Sequence, residues 1–294
     1  MKRFSIVLYG LISLMFITAC EKENTEGKET ADFPDVGGYA SSAEVAAEDL
    51  VAHFGFDGNA DDSKGSVTGA APNNISYVPG KLGQAYKGAP GSFIAYDNPG
   101  ALANLTSFSV SMWINTGKHE GGAQSLFMLP NTNGFWGNFF TLIEGGTADV
   151  MQLKVHFQKH ATPAIPRTEQ WVDLGGDNRL PNMYNQWKHV AYSYDETTST
   201  FALYVNGAKV NLPADFTNRM TADAPAGQPL GPLAFANVSK FVIGGWQTNL
   251  GAPWSGPDPW MLNYTGALDE LRFFDRPLTP AEVDALFRLQ NQGR

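Results

Sequence analysis

The chain holds a single cysteine, Cys20, in 294 residues, so no disulfide can form within it. Charge is scarce as well. Asp, Glu, Lys and Arg make up 17% of the sequence, with 29 acidic against 20 basic groups for a net charge of −9. Phosphates find no basic surface to neutralise them, which excludes nucleic acid as a partner. A sustained helical period is missing after the N-terminus, and so is any fixed-length repeat. Gly-x-Ser-x-Gly and phosphate-loop motifs are absent too, which removes the commonest serine-hydrolase and nucleotide-binding signatures. What is plentiful is Gly (31), Pro (18) and aromatic residues at 12%. That composition suits short strands joined by turns rather than a helical bundle. All-β domains commonly run to about 200–250 residues, so one domain with a tail is the simpler reading of this length.

The N-terminus reads as a processing signal. Lys2 and Arg3 precede the apolar run from Phe4 to Thr18, which is too short and wrongly flanked for a stable transmembrane helix. The following Ile17-Thr-Ala-Cys20 resembles a bacterial lipobox, which implies cleavage before Cys20 and acylation of its thiol. The expected organisation is therefore a signal peptide over 1–19, a lipid-anchored flexible tether over 20–45 and a folded domain over 46–294. Glu21-Lys-Glu-Asn24 resembles the surface-export signal of lipoproteins in glycan-foraging Gram-negative bacteria. The resemblance implies an outer-membrane, cell-surface location.

From Leu50 the sequence alternates. Leu50, Ala52, Phe54 and Phe56 fall on one face of a strand, and Phe108, Val110, Met112 and Ile114 fall on one face of a stronger one. Phe93–Tyr96, Phe139–Ile143, Met151–Phe157 and Phe241–Gly245 read as further strands. Trp187–Asp195 and Thr200–Gly207 read as a hairpin, with Asn206-Gly207 as the next tight turn. Near the end, Ala267, Leu271 and Phe273 share a face at a spacing of two, and Asp269 falls on that same face. Thr279 and Glu282 form a capping box with Pro280 at the first helical position, so a short helix closes the chain. Three stretches read as long loops, where binding usually resides: 117–138, 160–186 and 247–263.

In order and spacing, several segments resemble the laminin-G-like, concanavalin A-type family. They are Leu50-Val-Ala-His-Phe-Gly-Phe-Asp-Gly-Asn59, Gly80-Lys-Leu-Gly-Gln-Ala-Tyr86, Phe108–Ile114, Trp187–Ala191, Leu203–Gly207, Ile243–Gly245 and Gly266–Phe287. The resemblance implies an all-β fold, a two-sheet antiparallel jelly-roll sandwich with a short C-terminal helix. The fold hosts lectins, structural domains and hydrolases alike, so it does not by itself choose a function.

Two constellations carry chemistry. Asp57, Asn59 and Asp62 lie in one oxygen-rich loop, and Asp269 adds a carboxylate from the last strand, beside which a jelly roll commonly places the first. The resemblance implies a structural Ca2+ at this junction, since calcium takes six to eight oxygens. The same residues equally suit a turn held by Asx hydrogen bonds, with Asp269 met by backbone donors or an Arg. The second constellation is aromatic. Trp254 and Trp260 stand in a Pro- and Gly-rich loop, with Trp246 just before it and Trp136 in another long loop. Indole faces suit the apolar faces of sugar rings, and Asp258, Asn249 and Gln247 supply nearby polar groups. Large aromatics also simply pack loops onto a sandwich; Trp113 and Trp187, inside strands, take that reading.

Catalysis finds little support. Glycosidases with this fold carry Glu-x-Asp-x-x-Glu on one strand, and no such run occurs. Asp269 and Glu270 are adjacent, so they would point to opposite faces. His156 and His160 lie four apart on a strand, which gives no helical metal pair. Gln152, His156, Arg167 and Tyr184 include lyase-type side chains, without a lyase spacing. The function expected is a non-catalytic carbohydrate-binding surface lipoprotein that captures polysaccharide or host glycan beside an outer-membrane importer. A protein–protein adhesion domain, or a glycoside hydrolase or polysaccharide lyase, is the alternative.

Overall fold

The computed structural model describes residue 1 and residues 35–160, 168–222, 226–254 and 256–294. Cys20 and Arg167 lie outside these, as does most of the expected signal and tether. The strands in chain order are β1 (Leu50–Phe54), β2 (Thr68–Asn73), β3 (Ser76–Pro79), β4 (Gln84–Lys87), β5 (Phe93–Asn98), β6 (Phe108–Asn115), β7 (Ala123–Leu129), β8 (Phe139–Glu144) and β9 (Val150–Lys159). They continue with β10 (Thr168–Asp173), β11 (Leu180–Pro181), β12 (Lys188–Asp195), β13 (Thr200–Val205), β14 (Ala208–Lys209), β15 (Phe241–Ile243), β16 (Met261–Asn263) and β17 (Ala267–Phe274). A single-turn helix, α1 (Ala214–Thr217), precedes β15, and α2 (Pro280–Asn291) ends the chain. None of the described helices is long and apolar enough to cross a membrane.

The strands form two sheets. The first runs β14-β13-β12-β6-β17-β4-β3, with β1 also on β17; the second runs β10-β9-β8-β7-β15-β5-β2, with β11 on β9 and β16 on β7. β1 pairs antiparallel with β17, so the first and last strands are neighbours as expected of a jelly roll. The main core lies between the sheets. Phe108, Val110, Met112 and Ile114 of β6 point into it, opposite Phe139, Leu153, Val155 and Phe157 of the second sheet. The β12–β13 hairpin forms in the register its alternation predicts. Asn206 and Gly207 both take positive φ, at 50° and 77°, as a tight type I′ connection needs.

The outer face of the first sheet is covered as well. Helix α2 starts at Thr279 with the full capping box, Thr279 accepting from Glu282 N while the Glu282 side chain reaches back. Its apolar side, Val283, Leu286 and Leu289, packs with Leu50, Ala191, Tyr204 and Phe274. Trp113 of β6 stacks on Phe287 at 5.8 Å and donates its indole N–H to Gln290 Oε1 at 2.8 Å. Val36 and Val45 bury themselves in this same cluster, so the compact unit begins at Asp35 rather than at residue 46.

Three expectations give way to the structure. The stretch 117–138 is not a single loop: β7 occupies its middle and is buried along its whole length. Its run Leu126-Phe127-Met128-Leu129 is apolar on both faces and shows no alternation, so periodicity does not mark it as a strand. Likewise β10 interrupts the expected loop 160–186. In β17 the parity is broken. The register shifts between Asp269 and Arg272, with Glu270 at φ +49°, so Leu268, Leu271 and Phe273 face the core and Ala267 and Asp269 do not. An extra residue in one strand reverses which side chains share a face beyond it.

Candidate functional site

The outer face of the second sheet carries a row of side chains held by strand register. Trp171 on β10 lies opposite His156 on β9, His156 opposite Phe140 on β8, and Phe140 opposite Met128 on β7. The inward neighbours of these residues, Val172, Val155 and Phe139, belong to the core, so the row itself must face out. Two loops lie over it. Trp136, from the β7–β8 connection, meets Trp171 edge-to-face at 5.1 Å and Trp260 at 5.8 Å. Trp260 meets Trp246 at 5.2 Å, and Trp246 meets Phe140 at 5.8 Å. His156 is fully buried between Trp171 at 4.3 Å and Phe140 at 4.5 Å. Trp136, Trp171 and Trp260 are half-buried, and Phe135 beside them is 50% exposed. The result is a continuous aromatic platform open on one side.

The platform merges with a polar row along the same face. Lys154, two residues from His156, sits between Glu144 at 2.8 Å and Asp173 at 3.2 Å. Burial works against the Lys154 charge, but the two carboxylates outweigh it and hold the ammonium above its ordinary pKa. Gln152, two residues further, donates to Asp173 Oδ1 at 2.6 Å and accepts from Arg179 Nη2 at 3.0 Å.

The residues singled out from sequence are distributed unevenly around this platform. Trp136 and Trp260 form its surface. Trp246 is 1% exposed and donates its indole N–H to Leu262 O, so it supports the platform from beneath. Gln247 is a brace: it accepts from Asn131 N and donates to the carbonyls of Gly134 and Phe135, fixing the loop that carries Trp136. Asn249 caps the 3₁₀ turn that follows Trp246 by accepting from Trp246 N at 2.8 Å. Trp254 is 8% exposed and makes no ring contact with the cluster among the described residues; its buried Nε1 has no hydrogen-bond partner there. Asp258 stands exposed on the loop before Trp260. Sequence reasoning missed Trp171. The only trace was the brief alternation of Gln170, Val172 and Leu174 about Trp171 and Asp173, within a stretch read as loop.

The four oxygen ligands do not form a cage. Asp62 accepts from the backbone N–H groups of His53, Lys64, Ser66 and Val67. Asp269 accepts from Lys81 and Leu82 N on one oxygen and Glu270 N on the other. Asp57 Oδ1 accepts from Gln84 N at 2.8 Å, and Asn59 turns back on its own loop, donating to Asp57 O and accepting from Asp61 N. Asp57 and Asp269 thus converge on one turn, 80–84, and pin it from two sides. Gly83, at φ +48°, lets Asp57 approach, since a Cβ there would strike its carboxylate. Oxygens already facing N–H donors are poor calcium ligands, and the described residues contain no group of three His, Cys, Asp or Glu placed for a metal. The residues therefore do not fit the calcium site that the resemblance implies.

Glu270, beside Asp269, lies in a separate network. Its Oε2 accepts from His53 Nε2 at 3.1 Å, Arg272 Nη2 at 2.5 Å and Gln290 Nε2 at 3.2 Å. Burial pushes the carboxyl up, but His53 and Arg272 outweigh it and hold it at about 2. Burial pushes Asp269 up to about 7, helped by the Glu270 charge and opposed by its backbone donors.

Residues 88–231 match the model of the concanavalin A-like lectin/glucanases superfamily. No curated protein matches the chain. Among solved structures, domain 4 of AbnA, a GH43 extracellular arabinanase from Geobacillus stearothermophilus, in complex with arabinotriose, is similar at a TM-score of 0.51 and 20% identity, over 81% of this chain and 97% of that one. The binding domain of botulinum neurotoxin serotype G is similar at a TM-score of 0.53 and 12% identity, over 82% of this chain and 51% of that one. The binding domain of botulinum neurotoxin DC, in complex with SialylT, gives 0.53 and 11%, over 83% and 52%. The chain spans about half the length of these toxin domains, and at such identities the likeness is one of fold. Residues 88–231 thus match the concanavalin A-like lectin/glucanase superfamily in sequence, and the two-sheet architecture of the described residues is that of a concanavalin A-like jelly roll.

Proposed function

We propose that this protein is a non-catalytic carbohydrate-binding lipoprotein of the outer membrane that captures polysaccharide or host glycan at the cell surface. One observation carries the reading: three half-buried tryptophans, Trp136, Trp171 and Trp260, are joined through Trp136 in one cluster of ring contacts on the outer face of the second sheet, next to a row of fixed polar groups. Rigid indole faces beside oriented hydrogen-bonding groups suit a sugar ring, which has an apolar face and a polar rim. The arabinotriose and SialylT complexes of the similar folds support a glycan as the class of ligand.

A binding role without catalysis has its own support. Glu144 and Asp173, the carboxylates of the polar row beside the platform, both bond Lys154. Both are tied to one ammonium and act as its structural partners.

Acylation of Cys20 would anchor the domain at the membrane through the segment before Asp35. Delivery to a neighbouring outer-membrane importer is part of this proposal. Native affinity electrophoresis of residues 31–294 against a polysaccharide panel tests it, with Trp171→Ala and Trp260→Ala alongside. Retardation by one polysaccharide, lost in the variants, is the expected result; no retardation by any of them shifts the platform to a protein interface, and release of reducing ends or unsaturated sugars marks an enzyme.

A further inference from the structure

We infer that the platform is one half of a two-part site, and that the ligand is a neutral oligosaccharide lying along β9 rather than a single sugar ring. The inference rests on the glycan-binding reading above and adds to it a second subsite, a length and a charge class.

The outward side chains of β9 run His156, Lys154, Gln152 on one face. From the aromatic row at His156 to Gln152 is four residues of strand, about 13 Å at roughly 3.3 Å per residue. That span exceeds one ring and matches a short chain of them. At the Gln152 end a cavity of about 200 Å³ opens, lined by Glu144, the turn 145–148, Gln152, Arg179 and Tyr184. Sites that enclose a drug-sized ligand hold about 300–1,000 Å³, so this one accepts a single ring with the rest of the chain outside it.

The polar groups of this cavity are fixed before any ligand arrives. Arg179 donates to Gln152, and Gln152 donates to Asp173, so the amide orientation is set by both neighbours. Lys154 binds Glu144 and Asp173 together and keeps these carboxylates in place. A guanidinium has five N–H donors, and Arg179, exposed at the lip, has others left for ligand hydroxyls after its bond to Gln152. The half-exposed Tyr184 phenol adds a group that can donate or accept.

Charge decides the class. Among the described residues around the site, Lys154 faces two carboxylates, Lys118 pairs with Asp149 at 2.7 Å, and Arg179 lies exposed at the lip. The chain as a whole carries −9. A polyuronate would approach a negative protein and find the exposed Arg179 guanidinium in a cavity shared with Glu144, whereas a neutral chain needs only donors and acceptors. The stacking end and the polar end therefore recognise the apolar faces and the hydroxyls of the same uncharged chain.

The test is an array of immobilised neutral and uronate oligosaccharides of one to eight units, probed with residues 31–294 and with Trp171→Ala, Arg179→Ala and Tyr184→Phe. Neutral ligands should bind, with affinity rising about tenfold or more between one unit and the length that reaches Arg179, the worth of a hydrogen bond to a charged group. Arg179→Ala should cancel that gain while leaving the shortest ligands unchanged, and Trp171→Ala should weaken all lengths. Arg179 is exposed, so an unchanged melting temperature in its variant separates loss of contact from loss of fold. Binding that is independent of length, indifferent to Arg179→Ala or confined to uronates would overturn the two-part neutral site and leave glycan binding standing. Binding to nothing on the array would remove both.

Discussion

Trp171 on β10 and Trp136 in the β7–β8 loop meet edge-to-face, their ring centroids 5.1 Å apart and their planes at 83°. Edge-to-face contact is a geometry that aromatic pairs favour, and it fixes the two rings against each other. Trp171→Ala should therefore act twice, removing a stacking surface and loosening Trp136. On the best polysaccharide of an affinity panel it should weaken binding at least tenfold, while Trp254→Ala, outside the ring cluster, should leave binding within about twofold once stability is matched. Equal losses in both variants would move the site to the 247–263 loop.

Asp269 and Glu270, adjacent in β17, titrate in opposite senses. The folded value of Asp269 is about 7 against an ordinary 3.8. The folded state thus binds this proton more tightly, and the stabilisation is complete below about pH 4 and lost as pH rises through 7. The stability difference between wild type and Asp269→Asn should shrink from pH 4 to pH 8 in urea melts. A difference that stays constant would mean that the three backbone donors keep Asp269 ionised throughout.

For Glu270 the folded value of about 2 lies below the ordinary 4.5. Its contribution is present above pH 4.5 and disappears as pH falls toward 2. Because Oε2 gathers His53, Arg272 and Gln290, Glu270→Gln leaves buried Arg272 short of its carboxylate. That should cost about 3–5 kcal/mol, the penalty for breaking a buried pair. Circular-dichroism melts at pH 7 and pH 3 check it: the gap should be large at pH 7 and narrow at pH 3.

The calcium expectation and the geometry disagree, and melting temperature decides between them. With Asp62 and Asp269 occupied by backbone N–H groups, millimolar Ca2+ or excess EDTA should move the midpoint by less than about 1 °C. A gain of several degrees with Ca2+ would require these carboxylates to turn outward in the bound state.

Helix α2 seals the outer face of the first sheet through fully buried Leu286. Leu286→Ala should destabilise by about 2–5 kcal/mol, the usual range for a truncated core leucine. A cost below 1 kcal/mol, read from urea midpoints, would show that α2 docks loosely.

Much of the fold was legible before any coordinates. Alternation in Phe108–Ile114 and in the Trp187–Val205 hairpin stated both the strands and their inward faces, because a strand with one distinct face writes a period of two. The end of the chain was equally plain, since the Thr279–Glu282 capping box and Pro280 are local chemistry within one helical turn. Where apolar residues occupy both faces the signal vanishes, and β7, apolar on either side over Leu126–Leu129, passed for loop. Trp171 was lost for a related reason: a single alternation on a short strand is too brief to separate from a turn.

What the sequence by itself determined is therefore the class of architecture, the closing helix and the presence of tryptophans without a catalytic motif, all of which depend on residues within a few positions of one another. Only the tertiary structure decided which tryptophans meet. Trp136, Trp171 and Trp260 come together because strand register aligns β7 to β10 and Gln247 ties one loop to another. It also decided that Asp57 and Asp269 hold the 80–84 turn, and that one extra residue at Glu270 reverses the parity of the last strand. Register and bulges are set by the sum of packing across the sheets, and no local stretch of sequence contains that sum.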